Sequence, residues 1–328
     1  MLRLTEIKLP LKKYTDDDLK AAIIERLAIA PDELLGFTVF RRGHDARKKS
    51  NIIFVFTLDV ELKDESAVVR RLQAANNAAH LGPTPDTTYK LVTRAPANLA
   101  ERPIIIGTGP CGLLAGLVLA QMGFKPIILE RGKAVRERTK DTWGLWRDNK
   151  LNPESNVQFG EGGAGTFSDG KLYSQIKDPQ FHGRKVLEEF IKAGAPEEII
   201  YVSKPHIGTF RLVKMVENMR ATITGLGGEI RFGAKVEKVD IENGQVTGVV
   251  LADGEKIASR HVVLAIGHSA RDTFKMLHEQ GVYIEPKPFS IGFRIEHPQA
   301  LIDKARFGPN AGNELLGAAD YKLVHHCA

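Results

Sequence analysis

The chain has 328 residues, 43% of them hydrophobic and 26% charged, the mix of a folded globular protein with length for about two domains. A formal charge of +6 and a pI near 9.1 are mild over this length, so charge alone does not call for an anionic partner. Cys111 and Cys327 make no disulfide framework or metal pattern, no apolar run reaches the roughly 18 residues of a membrane span, and Met1 leads into an alternating strand rather than a leader, so the expected compartment is a reducing cytoplasm, with no membrane partner and no metal.

Residues 1–96 read as a small α+β domain with elements in the order βαββαβ, the ferredoxin-like arrangement. Residues 2–9 alternate apolar and polar. Thr15 with Asp18 makes a capping box for a helix whose apolar face is Leu19, Ile23, Ile24 and Leu27. Residues 36–42 and 52–62 are β-rich runs, Val68, Val69 and Leu72 mark a second helix, and 89–93 reads as the last strand. Turn-rich sequence at 82–85 and 94–97 marks the linker region. The hairpin between the two β runs is basic, carrying Arg41, Arg42, Arg47, Lys48 and Lys49. It is expected to be solvated or docked on the larger domain. An RNA-binding sheet would need exposed aromatics with an RNP-type signature, which is not found, and Phe54 and Phe56 read as core.

Residues 97–286 are organised around the stretch 103–132. Ile104, Ile105 and Ile106 run into Gly107, Gly109 and Gly112, then into an apolar helix over 113–122 and a second strand that ends in Glu130. This is the G-x-G-x-x-G spacing with a strand before it, a helix after it and an acid about 20 residues on, which reads as one βαβ unit holding the ADP part of a dinucleotide. Gly107 permits the tight turn, Gly109 lets a pyrophosphate approach the backbone, and Gly112 lets the helix pack close to the strand. The helix opens at Pro110 and Cys111, with its first N–H groups and positive dipole end toward the phosphates. Glu130 is expected to accept from a ribose hydroxyl, with Arg131 beside it.

A polar helix over 134–142 follows, carrying Arg136 and Arg138, and then Trp143 and Trp146, expected as core anchors. The segment 152–172 is dense in glycine. It is expected to fold against a flat or phosphorylated ligand, with Gly162, Gly163, Thr166 and Ser168 among its contacts. Phe159, Phe167 and Leu172 argue against a plain linker.

Helices read at 184–193 and 210–225. Residues 228–232, 234–241, 246–251 and 256–258 are β runs with turns at Asn243-Gly244 and Asp253-Gly254, and 261–267 returns as a buried parallel strand ending in glycine. A nicotinamide-only Rossmann domain would continue with βα repeats. A β-meander between two parallel strands, closing on Ala265-x-Gly267, is the layout of flavoproteins with a glutathione-reductase-like FAD domain. The expected fold is therefore α/β, a FAD/NAD(P)-binding Rossmann-like domain with an inserted β-meander, preceded by the ferredoxin-like domain. The expected cofactor is FAD, with the backbone of Val236 at the adenine edge and Gly267 near the dinucleotide.

On these residues the chain resembles the FAD-dependent dehydrogenases that join a ferredoxin-like N-terminal domain to a two-part FAD fold. The resemblance is carried by Arg41, Arg42 and 45–49, by Gly107, Gly109, Pro110, Cys111 and Gly112, and by 151–172, 204–209 and 288–298. It implies an oxidoreductase with non-covalent FAD and an undefined small-molecule substrate. NAD(P)H is carried as a candidate electron donor. Members of that family run further, with a substrate-side domain and a glycine-rich segment returning over the flavin. Residues 287–328 accordingly read as the start of an incomplete domain, ending inside a strand over 321–328, and weak FAD binding with little turnover is the expectation.

No Ser/His/Asp or metal spacing stands out. Lys171 and His206, both in glycine-bearing loops, are the catalytic candidates near a flavin ring. His268 can instead cap the helix after it, and Cys111 reads as a small packing residue, since a thiol–disulfide flavoenzyme would want a second cysteine nearby. The alternative reading is an RNA-interacting flavoprotein whose N-terminal domain and basic hairpin recruit a nucleic acid.

Overall fold

In the computed structural model, which describes every residue except 169, 173–175, 289–290, 293–294, 322–324 and 326–328, the chain divides into two units. The first comprises Met1–Asp86, Ile200–Ser203 and Pro288–Ala328, and the second Thr87–Ile199 and Lys204–Lys287. Most of the strand expected over 321–328, with Cys327, lies outside the described residues, as do Asp169, Phe289, Ser290, Phe293 and Arg294 of the resembling segments.

In the first unit, β1 (Leu2–Pro10), α1 (Asp16–Leu27), β2 (Leu34–Asp45), β3 (Ile53–Leu62), α2 (Glu65–Ala74) and β4 (Leu81–Pro83) follow one another. The sheet order is β2-β3-β1-β4, antiparallel at every pairing. The capping box forms as the sequence predicts: Thr15 Oγ1 accepts from the Asp18 N–H at 3.3 Å, and the Thr15 N–H donates to the Asp18 carboxylate at 2.8 Å. Leu4, Phe56, Leu58 and Val60 from the strands meet Leu19, Ile23, Val68 and Leu72 from the helices in one core. Each such side chain contributes roughly 1.5–3 kcal/mol by leaving water.

The last strand is not where the sequence puts it. Leu81 and Gly82 pair with Leu4 and Arg3 at the sheet edge, where the missing N–H of Pro83 costs no ladder bond, and the Thr84 N–H closes onto the Met1 carbonyl. Residues 89–93 therefore have no strand to pair with, and 84–103 hold no helix or strand. Two arginines of the basic hairpin, Arg41 and Arg42, are engaged within its own unit, while Arg47, Lys48 and Lys49 are exposed. Arg42 donates to the Tyr14 hydroxyl at 2.9 Å and lies over the rings of Phe54 and Tyr201. Arg41 donates to the Ser203 hydroxyl at 3.1 Å, and the backbone of Arg42 bonds both Tyr201 and Ser203.

The second unit contains β5 (Ile104–Ile106), α3 (Pro110–Gln121), β6 (Ile127–Glu130), α4 (Val135–Asp148), α5 (His182–Lys192), α6 (Thr209–Gly225), β7 (Glu229–Phe232), β8 (Val236–Glu242), β9 (Gln245–Leu251), β10 (Lys256–Ala258), β11 (Val262–Leu264) and α7 (Arg271–Glu279). A parallel sheet runs β11-β5-β6-β7, and β8, β9 and β10 form the antiparallel meander. Successive β5 residues point to opposite faces. Ile105 joins Leu113, Leu117, Met219 and Ile223 of α3 and α6, while Ile104 and Ile106 join Val249, Leu251 and Leu277 of the meander and α7. Both faces are covered, which is why β5 and β6 are continuous apolar runs.

Two expectations fail here. The strand β11 is an edge rather than a buried strand, with Leu264 45% exposed. Trp143 and Trp146 are 46% and 53% exposed: the buried side of α4 is made by Val135, Arg138 and Thr142, Trp143 falls outside that stripe, and Trp146 continues it one turn beyond Thr142, in the last turn of the helix. They pack edge-on with each other, and Trp146 packs edge-on with Phe167. Among the described residues no helix is long and apolar enough to cross a membrane.

Candidate dinucleotide site

A cavity of about 400 Å³ opens beyond the carboxyl ends of β5, β6 and β11, where open parallel sheets take their ligands. Its walls are the glycine turn after β5, Glu130 and Arg131, residues 158–160 and 163–164 of the glycine-dense loop, Ala234 and Val236 at the start of the meander, and residues 264–270 and 273–274. All of them belong to the second unit.

The three glycines of the turn are needed for different reasons. Gly107 has φ +105°, and a Cβ there would lie 2.5 Å from the Ala265 carbonyl oxygen. At Gly112 a Cβ would lie 1.9 Å from the Gly107 oxygen, so any side chain would separate α3 from β5. A Cβ at Gly109 would meet nothing closer than 3.9 Å. The protein itself does not demand glycine at that point, whereas a phosphate approaching the backbone would. Helix α3 then begins with Pro110 in its first turn and no side-chain cap on Gly109, leaving the N–H groups of Cys111 and Gly112 without intrahelical partners. Pro110 and Cys111 line the cavity, and Cys111 is exposed.

Glu130 reaches the cavity wall but is 4% exposed. Its Oε2 accepts from the Thr108 N–H at 2.8 Å and the Thr108 hydroxyl at 2.7 Å. Its Oε1 accepts from the N–H groups of Gly132 at 2.8 Å and Gly160 at 3.0 Å. An ionised carboxylate offers about four lone-pair sites, and the protein fills them all. The acid ties together the turn after β5, the end of β6 and the glycine-dense loop.

Arg131 packs over the Phe159 ring and is paired with Glu154 at 2.6 Å and, through two nitrogens, with Asp272 at 2.9 Å. Burial alone would lower its pKa, but the two carboxylates outweigh it and the net shift is upward. Arg131 in turn holds Asp272 down to about 2.

The glycine-dense loop departs from expectation. The Gly162 N–H goes to the Thr108 carbonyl at 2.9 Å and the Gly163 N–H to the Gly160 carbonyl at 3.1 Å. The Thr166 hydroxyl bonds the Glu161 carbonyl at 3.3 Å, and the Ser168 hydroxyl bonds that of Gly165 at 2.7 Å. Gly162 ties the loop to the turn after β5, the other three fold it on itself, and of the four only Gly163 lines the cavity.

The organiser is Arg138, which sequence reasoning placed on a polar helix and left without a role. It is fully buried and donates only to carbonyls of this loop. Burial pulls its pKa down to about 10, against the opposing pull of Glu130 and Glu161, so it remains a cation at neutral pH. Glu161, also fully buried, accepts from the Val135 N–H at 2.8 Å and from Arg220 at 3.2 Å, and burial raises its pKa. The spacing of Val135, Arg138 and Thr142 on one helical face was the signal that could have found Arg138.

Val236, Ala265 and Gly267 line the cavity. Lys171 and His206 face each other across an isolated antiparallel bridge, with the Leu172 N–H on the Pro205 carbonyl and the Ile207 N–H on the Gly170 carbonyl. Neither is among the cavity-lining residues. His268 lines the cavity beside Ser269, but the N-cap of α7 is Ala270 and carries no side-chain cap. Among the described residues no cluster has the make-up of a metal site.

Residues 288–328 match the family model described as FAD-dependent protein, C-terminal domain-like, and residues 1–61 match a domain of unknown function, DUF8436. An uncharacterized protein of Clostridium beijerinckii is 41% identical over 327 residues, which are 99% of this chain and 59% of that protein. The chain thus spans less than two thirds of its relative. Among solved structures, THI4 of Thermovibrio ammonificans is similar at 21% identity and a TM-score of 0.36, over 56% of this chain and 64% of that one. Glycine oxidase of Bacillus cereus is similar at 18% identity and a TM-score of 0.29, over 56% and 58% respectively.

Proposed function

We propose that the second unit binds the ADP part of FAD and that the protein is a flavin-dependent oxidoreductase acting on a small molecule. The observation that carries this reading is the glycine turn running into the uncapped start of α3 on a cavity of about 400 Å³, a size suited to a small ligand or part of a larger one. The description of the family model over 288–328 also favours FAD. On this reading the second unit is a Rossmann-like domain with an inserted meander, and the strand order of the first supports a ferredoxin-like assignment.

The roles follow from the chemistry of each group. The N–H groups of Cys111 and Gly112 hold pyrophosphate oxygens at the positive end of α3. The main chain at Val236 meets the adenine edge, and Ala265 and Gly267 keep the opposite wall small. Arg131, fixed by Glu154 and Asp272, forms the side of the adenosine end. Glu130 positions the turns around the sugar, since its acceptor sites are taken by Thr108, Gly132 and Gly160. Bound flavin supplies the two-electron chemistry, and the protein contributes binding, orientation and exclusion of water. NAD(P)H is the donor to try first.

Titration calorimetry with ADP and with FAD tests the assignment. Both are expected to bind at one site per chain, ADP competing with FAD, and absence of heat for either at millimolar ligand would sink it.

A further inference from the structure

The peptide groups of Gly160 are held from two sides. Its N–H donates to Glu130 Oε1 at 3.0 Å, and its carbonyl accepts from Arg138 Nη1 at 3.3 Å. A segment of the cavity wall is thus caught between a buried carboxylate and a buried guanidinium. Arg138 also donates to the carbonyls of Asn156 at 2.8 Å, Val157 at 2.7 Å, Glu161 at 2.7 Å and Gly163 at 2.8 Å. Its planar fork of donors suits this task, which a lysine ammonium could not reproduce.

Space is matched to the same end. A Cβ on Gly160, whose φ is +120°, would lie 2.3 Å from Arg138 Cδ, and a Cβ on Gly132 would lie 2.6 Å from Gly160. Arg138 itself is fully buried and is not among the cavity-lining residues. A glycine-dense loop has much conformational freedom to lose, and here a side chain rather than a ligand supplies the bonds that order it.

We propose that Arg138, acting with Glu130, is a positioning residue that sets the 156–163 wall of the cavity before any ligand arrives, so that affinity depends on a side chain that touches no ligand. The identity of the ligand rests on the dinucleotide reading above, but the clamp does not. With the clamp intact nearly every molecule is binding-competent. Without it the apparent dissociation constant rises as the competent fraction falls, and the loss is in association rather than dissociation.

Hydrogen exchange on the whole chain tests the clamp directly, with ADP as the probe. The amides of Gly160, Gly162 and Gly163 are expected to be protected without ADP, to within about threefold of their protection at saturating ADP. Free exchange of these amides in the ligand-free protein overturns the proposal, as does a tenfold or greater slowing when ADP is added. Stopped-flow binding of ADP to Arg138→Met should show association slowed roughly tenfold or more with dissociation changed less than about twofold. Unchanged association, or a loss confined to dissociation, overturns it. Should Arg138→Met fail to fold, Gly160→Ala puts the same question with the guanidinium in place. If the wild-type chain binds neither ADP nor FAD, the dinucleotide reading fails, and the ligand-free exchange alone then decides for or against the clamp.

Discussion

The charged groups around the cavity divide into those buried in its wall and those that brace Arg131 beside it. Arg138 is buried and satisfied by backbone carbonyls, and Glu130 is buried and satisfied by three backbone N–H groups and the Thr108 hydroxyl, so each orders several peptides at once. Arg131, Glu154 and Asp272 are partly exposed, and their pairing is sensitive to protonation. Asp272 is held down to about 2 by its bonds to Arg131. A carboxylate whose folded pKa lies below its unfolded value stabilises the fold above the unfolded value, and that contribution disappears as pH falls through the folded one. Asp272→Asn is therefore expected to lower the urea midpoint at pH 7, with the gap to wild type narrowing below pH 4 toward about 2. A gap constant across that range would mean that Asp272 acts through packing rather than charge.

At the scale of elements, α1 and α3 start in different ways. Helix α1 is started by its own residues, Thr15 and Asp18, whereas α3 has no side chain at its N-terminus and exposes that end to the cavity. The first arrangement is stabilising and local, and the second leaves backbone N–H groups without intrahelical partners at the cavity. Thr15→Ala should cost about 1 kcal/mol in denaturant melts and leave ADP affinity unchanged. A change in ADP affinity would contradict the assignment of the cavity to the second unit. Helix α4 shows why an indole is a poor guide to burial: Trp143 points away from the buried stripe, and Trp146 continues that stripe past its last buried position, Thr142, so both stay half in water.

For the whole molecule, the first unit is assembled from three stretches of chain and the second from two. Phe307 is 3% exposed and packs with Ile52 and Ala319, its ring 5.5 Å from that of His44. All four residues lie in the first unit. Phe307→Ala is expected to destabilise that unit by roughly 3–5 kcal/mol, giving an earlier first transition in a two-step melt, with ADP binding retained at low temperature. Multi-unit chains need not unfold in one step, so calorimetry with and without ADP would separate the two transitions. ADP should raise only the one that belongs to the second unit.

Patterns that repeat along a few residues were legible in the sequence. The apolar strand into Gly107, Gly109 and Gly112, the Thr15 capping box and the meander turns at Asn243-Gly244 and Asp253-Gly254 each depend on backbone geometry within one element, and the structure places each of those elements in the order read. What depended on distant partners was not legible. Residues 89–93 read as a strand, but the free edge of β1 is taken by Leu81 and Gly82. Glu130 has the spacing of a ribose acceptor, yet Thr108 and Gly160, 22 and 30 residues away, occupy its oxygens. Arg138 looks like a surface charge until the loop that follows wraps its carbonyls around it. Local periodicity reports which face of an element is apolar, but only the folded chain decides which donor reaches which acceptor, because hydrogen bonds are assigned by proximity in space.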